Sequence, residues 1–90
     1  MTLKLRDGVS AAETDYGITL LDEDSGRYWT LNPTAALALR TLLDGGTTAQ
    51  AVQELTEQYS VDADTASRDV EDLVSELHSA GLVKERSTST

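Results

Sequence analysis

Three places in this chain hold residue types that could do chemistry, and none is complete. The single histidine, His78, falls near the end of a strong helical pattern. A helix C-terminus favours a cation there, but with no cysteine and no second histidine it can neither ligate a metal nor form a nucleophile–base pair. The run Asp22-Glu23-Asp24-Ser25-Gly26 has the alternating carboxylates of a calcium loop. It lacks the third ligand residue at position 26 and the later glutamate, so it reads as a solvated hairpin turn. Asn32-Pro33-Thr34 has proline at the position that excludes glycosylation, and no glycine-rich phosphate loop is present. The residues give no catalytic, metal or cofactor site, and the expectation is a chain that binds rather than reacts.

The totals narrow what it binds. Ninety residues with 39% hydrophobic content support one small domain, which buries only about 60–65% of its unfolded surface and gains from a stabilising partner. The absence of cysteine excludes a disulfide framework and the usual structural zinc sites. Sixteen acidic residues against 7 basic ones give a net charge of −9, which opposes binding to nucleic acid or anionic lipid. A neutral or basic partner fits better. The first residues carry no apolar run resembling a signal peptide, and no segment approaches the roughly 18 apolar residues of a membrane span. A cytoplasmic protein is the default expectation.

The elements that must position any binding site follow from periodicity. Leu3 and Leu5 alternate with Lys4 and Arg6, which predicts a first strand over 3–6 ending at Asp7-Gly8, with a loop over 10–15. Tyr16 to Leu21 reads as a second strand, with Ile18 and Leu20 on one face and Thr19 and Leu21 on the other. After the acidic turn, Arg27, Tyr28, Trp29, Thr30 and Leu31 form a third strand of strong strand formers. Asn32 then caps a helix whose first residue is Pro33, a position where the missing N–H costs nothing. Ala35, Ala36, Leu39, Leu42 and Leu43 give that helix its apolar stripe, and Gly45-Gly46 stops it. Thr47 and Gln50 make a capping box for a second helix, with Val52, Leu55 and Tyr59 inward. Asp62 caps a third, whose stripe is Ala66, Val70, Leu73, Leu77 and Ala80, widened by Val74, before Gly81 ends it. Leu82 and Val83 pack back on the core. The fold class is α+β, a three-stranded antiparallel sheet followed by three helices, in one domain over 1–84, with 85–90 a disordered polar tail.

Such an order is compatible with a winged helix-turn-helix, but the third helix carries Asp62, Asp64, Asp69, Glu71, Asp72 and Glu76 against Arg68 alone. A helix so acidic is repelled by phosphates, so a winged-helix transcription factor is a remote reading. The third strand is more informative. In a meander it is an edge, with unpaired backbone groups and only Arg27 as a guard. An open edge of this kind suits an extended peptide that adds as a further strand, with ordinary core and cover roles for Tyr28 and Trp29 as the other possibility. The same edge could pair with its own copy, giving a monomer or weak dimer.

The residues Ile18-Thr-Leu-Leu-Asp22, Ser25-Gly-Arg-Tyr-Trp-Thr-Leu-Asn-Pro-Thr-Ala35, Leu42-Leu-Asp-Gly45, Asp69-Val70 with Leu73 and Leu77, and Gly81-Leu-Val83 resemble, in that order, the PqqD-like family, also called RiPP recognition elements. The resemblance covers about residues 3–83. It implies a winged-helix-like arrangement of three strands and three helices, and a non-catalytic protein that binds the leader segment of a ribosomally made precursor peptide. It implies strand addition at Arg27, Tyr28, Trp29, Thr30 and Leu31, beside a groove wall formed by Asp69, Val70, Leu73, Val74 and Leu77. Val70, Leu73, Val74 and Leu77 would make apolar pockets, while Asp69, with Glu76 beyond it, would attract a leader Lys or Arg. As a small acidic protein the chain is also similar to the recognition proteins of lasso-peptide pathways. Their partners are a cysteine-protease-like leader peptidase and an ATP-dependent macrocyclase. The alternative within the same family is a carrier subunit that docks on a radical maturase in quinone-cofactor or other peptide maturation.

Overall fold

The computed structural model describes residues 3–85, and the elements run β1 (Leu3–Leu5), β2 (Val9–Thr14), β3 (Gly17–Asp22), β4 (Arg27–Leu31), α1 (Pro33–Leu43), α2 (Thr48–Tyr59), α3 (Ala63–Ser79) and β5 (Val83–Glu85). The α+β class holds, with three helices and a three-stranded antiparallel sheet in the order β2-β3-β4, plus a small two-stranded sheet of β1 and β5.

The strand assignments need two corrections. Residues 10–15, expected as a loop, supply most of β2, which pairs along its whole length with β3 from Val9 opposite Asp22 to Thr14 opposite Gly17. The predicted first strand is not in that sheet at all: Leu3 pairs with Glu85 and Leu5 with Val83. The reason is packing. Ser10 to Thr14 are exposed, so this strand buries no face and shows no apolar alternation, and its conformation comes from the ladder to β3 rather than from propensity. Glu85, expected in the tail, closes β5, and residues 86–90 lie outside the described residues.

β3 is the spine. Ile18 and Leu20 are buried while Leu21 points outward, as the two-residue period requires. Gly17 begins it under a tight constraint, because its φ is +141° and a Cβ there would lie 1.9 Å from the carbonyl oxygen of Leu31. Only glycine tolerates both the angle and the approach. Tyr16, expected as the first strand residue, sits in the turn before it and is exposed.

The helix starts follow their caps. The Asn32 side chain accepts from the Ala35 N–H, and Thr47 and Gln50 close a capping box in both directions. Asp62 accepts from the Thr65 N–H. One core gathers Leu20, Leu39, Leu42, Leu55, Val70, Leu73, Leu77 and Leu82 among others. Tyr59, expected inside, is exposed, since it closes α2 just before Ser60 turns the chain in a left-handed conformation.

Candidate functional site: a groove between the open strand and the third helix

β4 pairs with β3 from Leu31 opposite Ile18 to Arg27 opposite Asp22. Among the described residues no strand covers its other side. Alternate residues of β4 therefore present free N–H and C=O groups outward, a template for an added strand. The strand was legible in sequence as a fixed segment between turn and cap. That it is an edge follows from the sheet order.

Beside this edge runs α3, and between them lie two adjoining concavities. The first, of about 340 Å³, is bounded by Thr30, Leu31 and Asn32 on one side and by Asp69, Val70, Asp72, Leu73 and Glu76 on the other, over a floor that includes Ala35, Ala38 and Leu55. The second, of about 490 Å³, lies between Arg27, Trp29 and Leu31 and the helix residues Leu73, Glu76 and Leu77, ending at Ala80 and Leu82. Leu31, Leu73 and Glu76 belong to both. The joint surface is apolar at its base and carboxylate-rimmed, with the Arg27 guanidinium as the cation on the strand side, 5.5 Å from the centroid of the Trp29 ring. A cation at this distance is attracted to the ring face and extends the flat surface of the indole.

Nine of the eleven site residues predicted from sequence line this groove: Arg27, Trp29, Thr30, Leu31, Asp69, Val70, Leu73, Glu76 and Leu77. Tyr28 does not. It stands on the opposite sheet face, in register with Leu21 and 69% exposed, because neighbouring strand residues point to opposite sides. Val74 also lines neither concavity and instead packs half-buried against the core. Asn32, Ala35, Ala38 and Leu55 were missed as groove residues, since their sequence signal is that of a cap and helix cores.

One polar cluster lies at the Arg27 end. The Arg6 Nη2 is 3.0 Å from Asp22 Oδ2, and Nη1 is 3.4 Å from Asp24 Oδ2. Its Nε donates to the Gly81 carbonyl at 2.6 Å, and its backbone N–H donates to the Leu82 carbonyl at 2.9 Å. The expectation of a wholly solvated acidic turn is thus corrected: Asp22 is the buried charged residue among those described. Partial burial works against its charge, but the Asp24 N–H, the Ser25 hydroxyl and the Arg6 guanidinium together hold its carboxyl below the usual range. Burial likewise opposes the Arg6 charge, and the carboxylates of Asp22 and Asp24 more than restore it.

The family described as Coenzyme PQQ synthesis protein D (PqqD) matches residues 17–83, and the chain belongs to it. Two solved structures share the whole arrangement. A structure of lasso peptide synthetase B1 complexed with the leader peptide is 45% identical, with a TM-score of 0.86 over 93% of this chain and 99% of that one. A structure of TbiB1 in complex with the TbiA(beta) leader peptide is 27% identical, with a TM-score of 0.81 over 93% and 98% of the two chains. No curated protein sequence matches the chain at a significant level. Among the described residues, no helix is long and apolar enough to cross a membrane and no group of three or more metal-ligating side chains is gathered.

Proposed function

We propose that this protein is a non-catalytic recognition element for lasso-peptide biosynthesis. It binds the leader segment of a ribosomally made precursor by strand addition to Arg27–Leu31 and delivers it to a leader peptidase and a macrocyclase. The observation that carries the reading is the open edge of β4 beside an apolar, acid-rimmed groove. Two chains of the same fold in complex with leader peptides support it. Backbone groups of β4 supply ladder bonds of sequence-independent strength, and the two concavities select alternate side chains of the added strand. Asp69, Asp72 and Glu76 favour a leader with Lys or Arg at the Leu31 end.

Titration of a labelled leader peptide by fluorescence anisotropy tests this reading. The leader peptide of the lasso peptide synthetase B1 complex, used as the probe, should bind, and Leu73→Asp, checked for folding by circular dichroism, should lose that binding. An affinity unchanged in folded Leu73→Asp would sink the groove assignment. The family description also favours a second reading, a carrier subunit of a radical maturase in coenzyme PQQ synthesis. Co-purification with the enzymes encoded beside the gene separates the two: a peptidase and a cyclase support the first, a radical enzyme the second.

A further inference from the structure

Arg6 lies outside the groove, in neither concavity, yet its bonds reach both of the groove's walls. On one side it holds Asp22 and Asp24. Asp22 is the register partner of Arg27, the first residue of β4, and its carbonyl accepts the Gly26 N–H that closes the turn. On the other side Arg6 takes the consecutive carbonyls of Gly81 and Leu82, one with its side chain and one with its backbone N–H. These follow Ala80, the C-cap of α3. Ala80 and Leu82 themselves end the second concavity.

We propose that Arg6 is a positioning residue that fixes the groove's width, and through it peptide capture, by tying the turn that starts β4 to the end of α3. The chemistry requires arginine. Its planar fork offers five donors in fixed directions, and here Nε takes the Gly81 carbonyl while Nη1 and Nη2 take the two carboxylates of the turn. A lysine keeps the charge but, as a single compact ammonium, does not bridge the Gly81 carbonyl and two carboxylates in the same geometry. The guanidinium also places positive charge against carbonyls at the negative end of α3, where a cation is favoured. Without the side-chain bridge, the two walls stay joined at this end only indirectly, by the Glu23 N–H on the Gly8 carbonyl and the Arg6 backbone N–H on the Leu82 carbonyl with the chain from Arg6 to Gly8 between them. A groove freer to widen gives up the preorganisation that limits the entropic cost of binding an extended chain.

The affinity part of this inference rests on the leader-binding reading, while the distance part does not. Because the chain has no cysteine, spin labels can be placed at Tyr28→Cys on β4 and Glu71→Cys on α3, both exposed. Their separation is then measured by pulsed electron paramagnetic resonance in the full chain with and without Arg6→Lys. The bridge predicts a longer and broader distance distribution for Arg6→Lys and for the double variant Asp22→Ala with Asp24→Ala, which removes both carboxylates of the turn arm and serves if Arg6→Lys fails to fold. The leader peptide of the lasso peptide synthetase B1 complex, used as the probe, should bind Arg6→Lys about tenfold more weakly than the parent. An unchanged distribution in the folded variants overturns the proposal, as does a widened groove that binds the probe with parental affinity. A parent chain that fails to bind the probe, with a widened distribution in Arg6→Lys, sinks the leader reading and leaves Arg6 as the spacer of the two walls.

Discussion

The charges on the groove rim act at the scale of single residues. Asp69 and Glu76 are exposed and stand on the helix side of an apolar base, so reversing either should leave the fold intact and change the field met by an incoming peptide. Asp69→Lys is expected to weaken a leader bearing Lys or Arg at the Leu31 end by about three- to tenfold at low salt, with the difference shrinking as salt is added. Anisotropy titrations at two ionic strengths check it, and a salt-independent loss would mean that the side chain acts through shape. Gly17 is the opposite kind of residue, one with no side chain and a steric role. A Cβ at Gly17 meets the Leu31 carbonyl at 1.9 Å, so Gly17→Ala must push β4 away from β3 at the end nearest the first concavity. Thermal denaturation of Gly17→Ala should show a loss of at least about 2 kcal/mol, beyond the ordinary cost of a surface change.

For the elements, the functional statement concerns β4 as a strand with one free side. If a peptide adds there, its own alternate N–H groups enter the ladder and the intervening ones point to solvent. A leader peptide N-methylated at successive positions should therefore bind in an alternating pattern, abolished at one set and tolerated at the other. Uniform tolerance would exclude strand addition in favour of docking by side chains. The helix starts are of a different nature, since each is set by local side-chain bonds. Thr47 caps α2 by accepting the Gln50 N–H at 3.1 Å while Gln50 Oε1 accepts the Thr47 N–H at 2.8 Å. Thr47→Ala should destabilise the domain by about 1 kcal/mol, measured in urea, without altering the groove.

The behaviour of the whole molecule in acid follows from two carboxylates. Thr65, through its N–H and hydroxyl, holds the Asp62 carboxyl below its usual range, and Asp22 is lowered by Asp24, Ser25 and Arg6 against the opposing effect of burial. A carboxylate with a lowered folded-state value binds its proton more readily when unfolded, so it stabilises the fold above the unfolded value of about 3.9 and loses that contribution as pH falls toward the folded one. The melting temperature should be flat from neutral pH down to about pH 5 and drop steeply below about pH 4. The drop should be smaller in Asp22→Asn, whose neutral side chain no longer titrates.

The helices, their caps and the β3–β4 hairpin were legible because each is written locally. Asn32-Pro33, Thr47 with Gln50, and Asp62 are start signals that act within one turn, and the apolar spacing of Val70, Leu73 and Leu77 can face only one way. The nine groove residues were placed by the resemblance to PqqD-like proteins, on a strand and a helix that the local signals had already bounded. The sequence could not reveal that Ser10 to Thr14 form a strand, because an edge that buries neither face leaves no periodic trace. Nor could it show that Leu3–Leu5 leaves the main sheet for Val83–Glu85, a pairing between the two ends of the chain. It could not show that Tyr28 and Val74 line neither concavity, since their orientation depends on which face of each element the core covers. The bridge from Arg6 to Asp22 and Gly81 was likewise invisible, because those residues are far apart along the chain and meet only when β1 settles against the end of α3. Local chemistry determined the strand and the helix; only tertiary packing brought them together with a free edge and a fixed gap between.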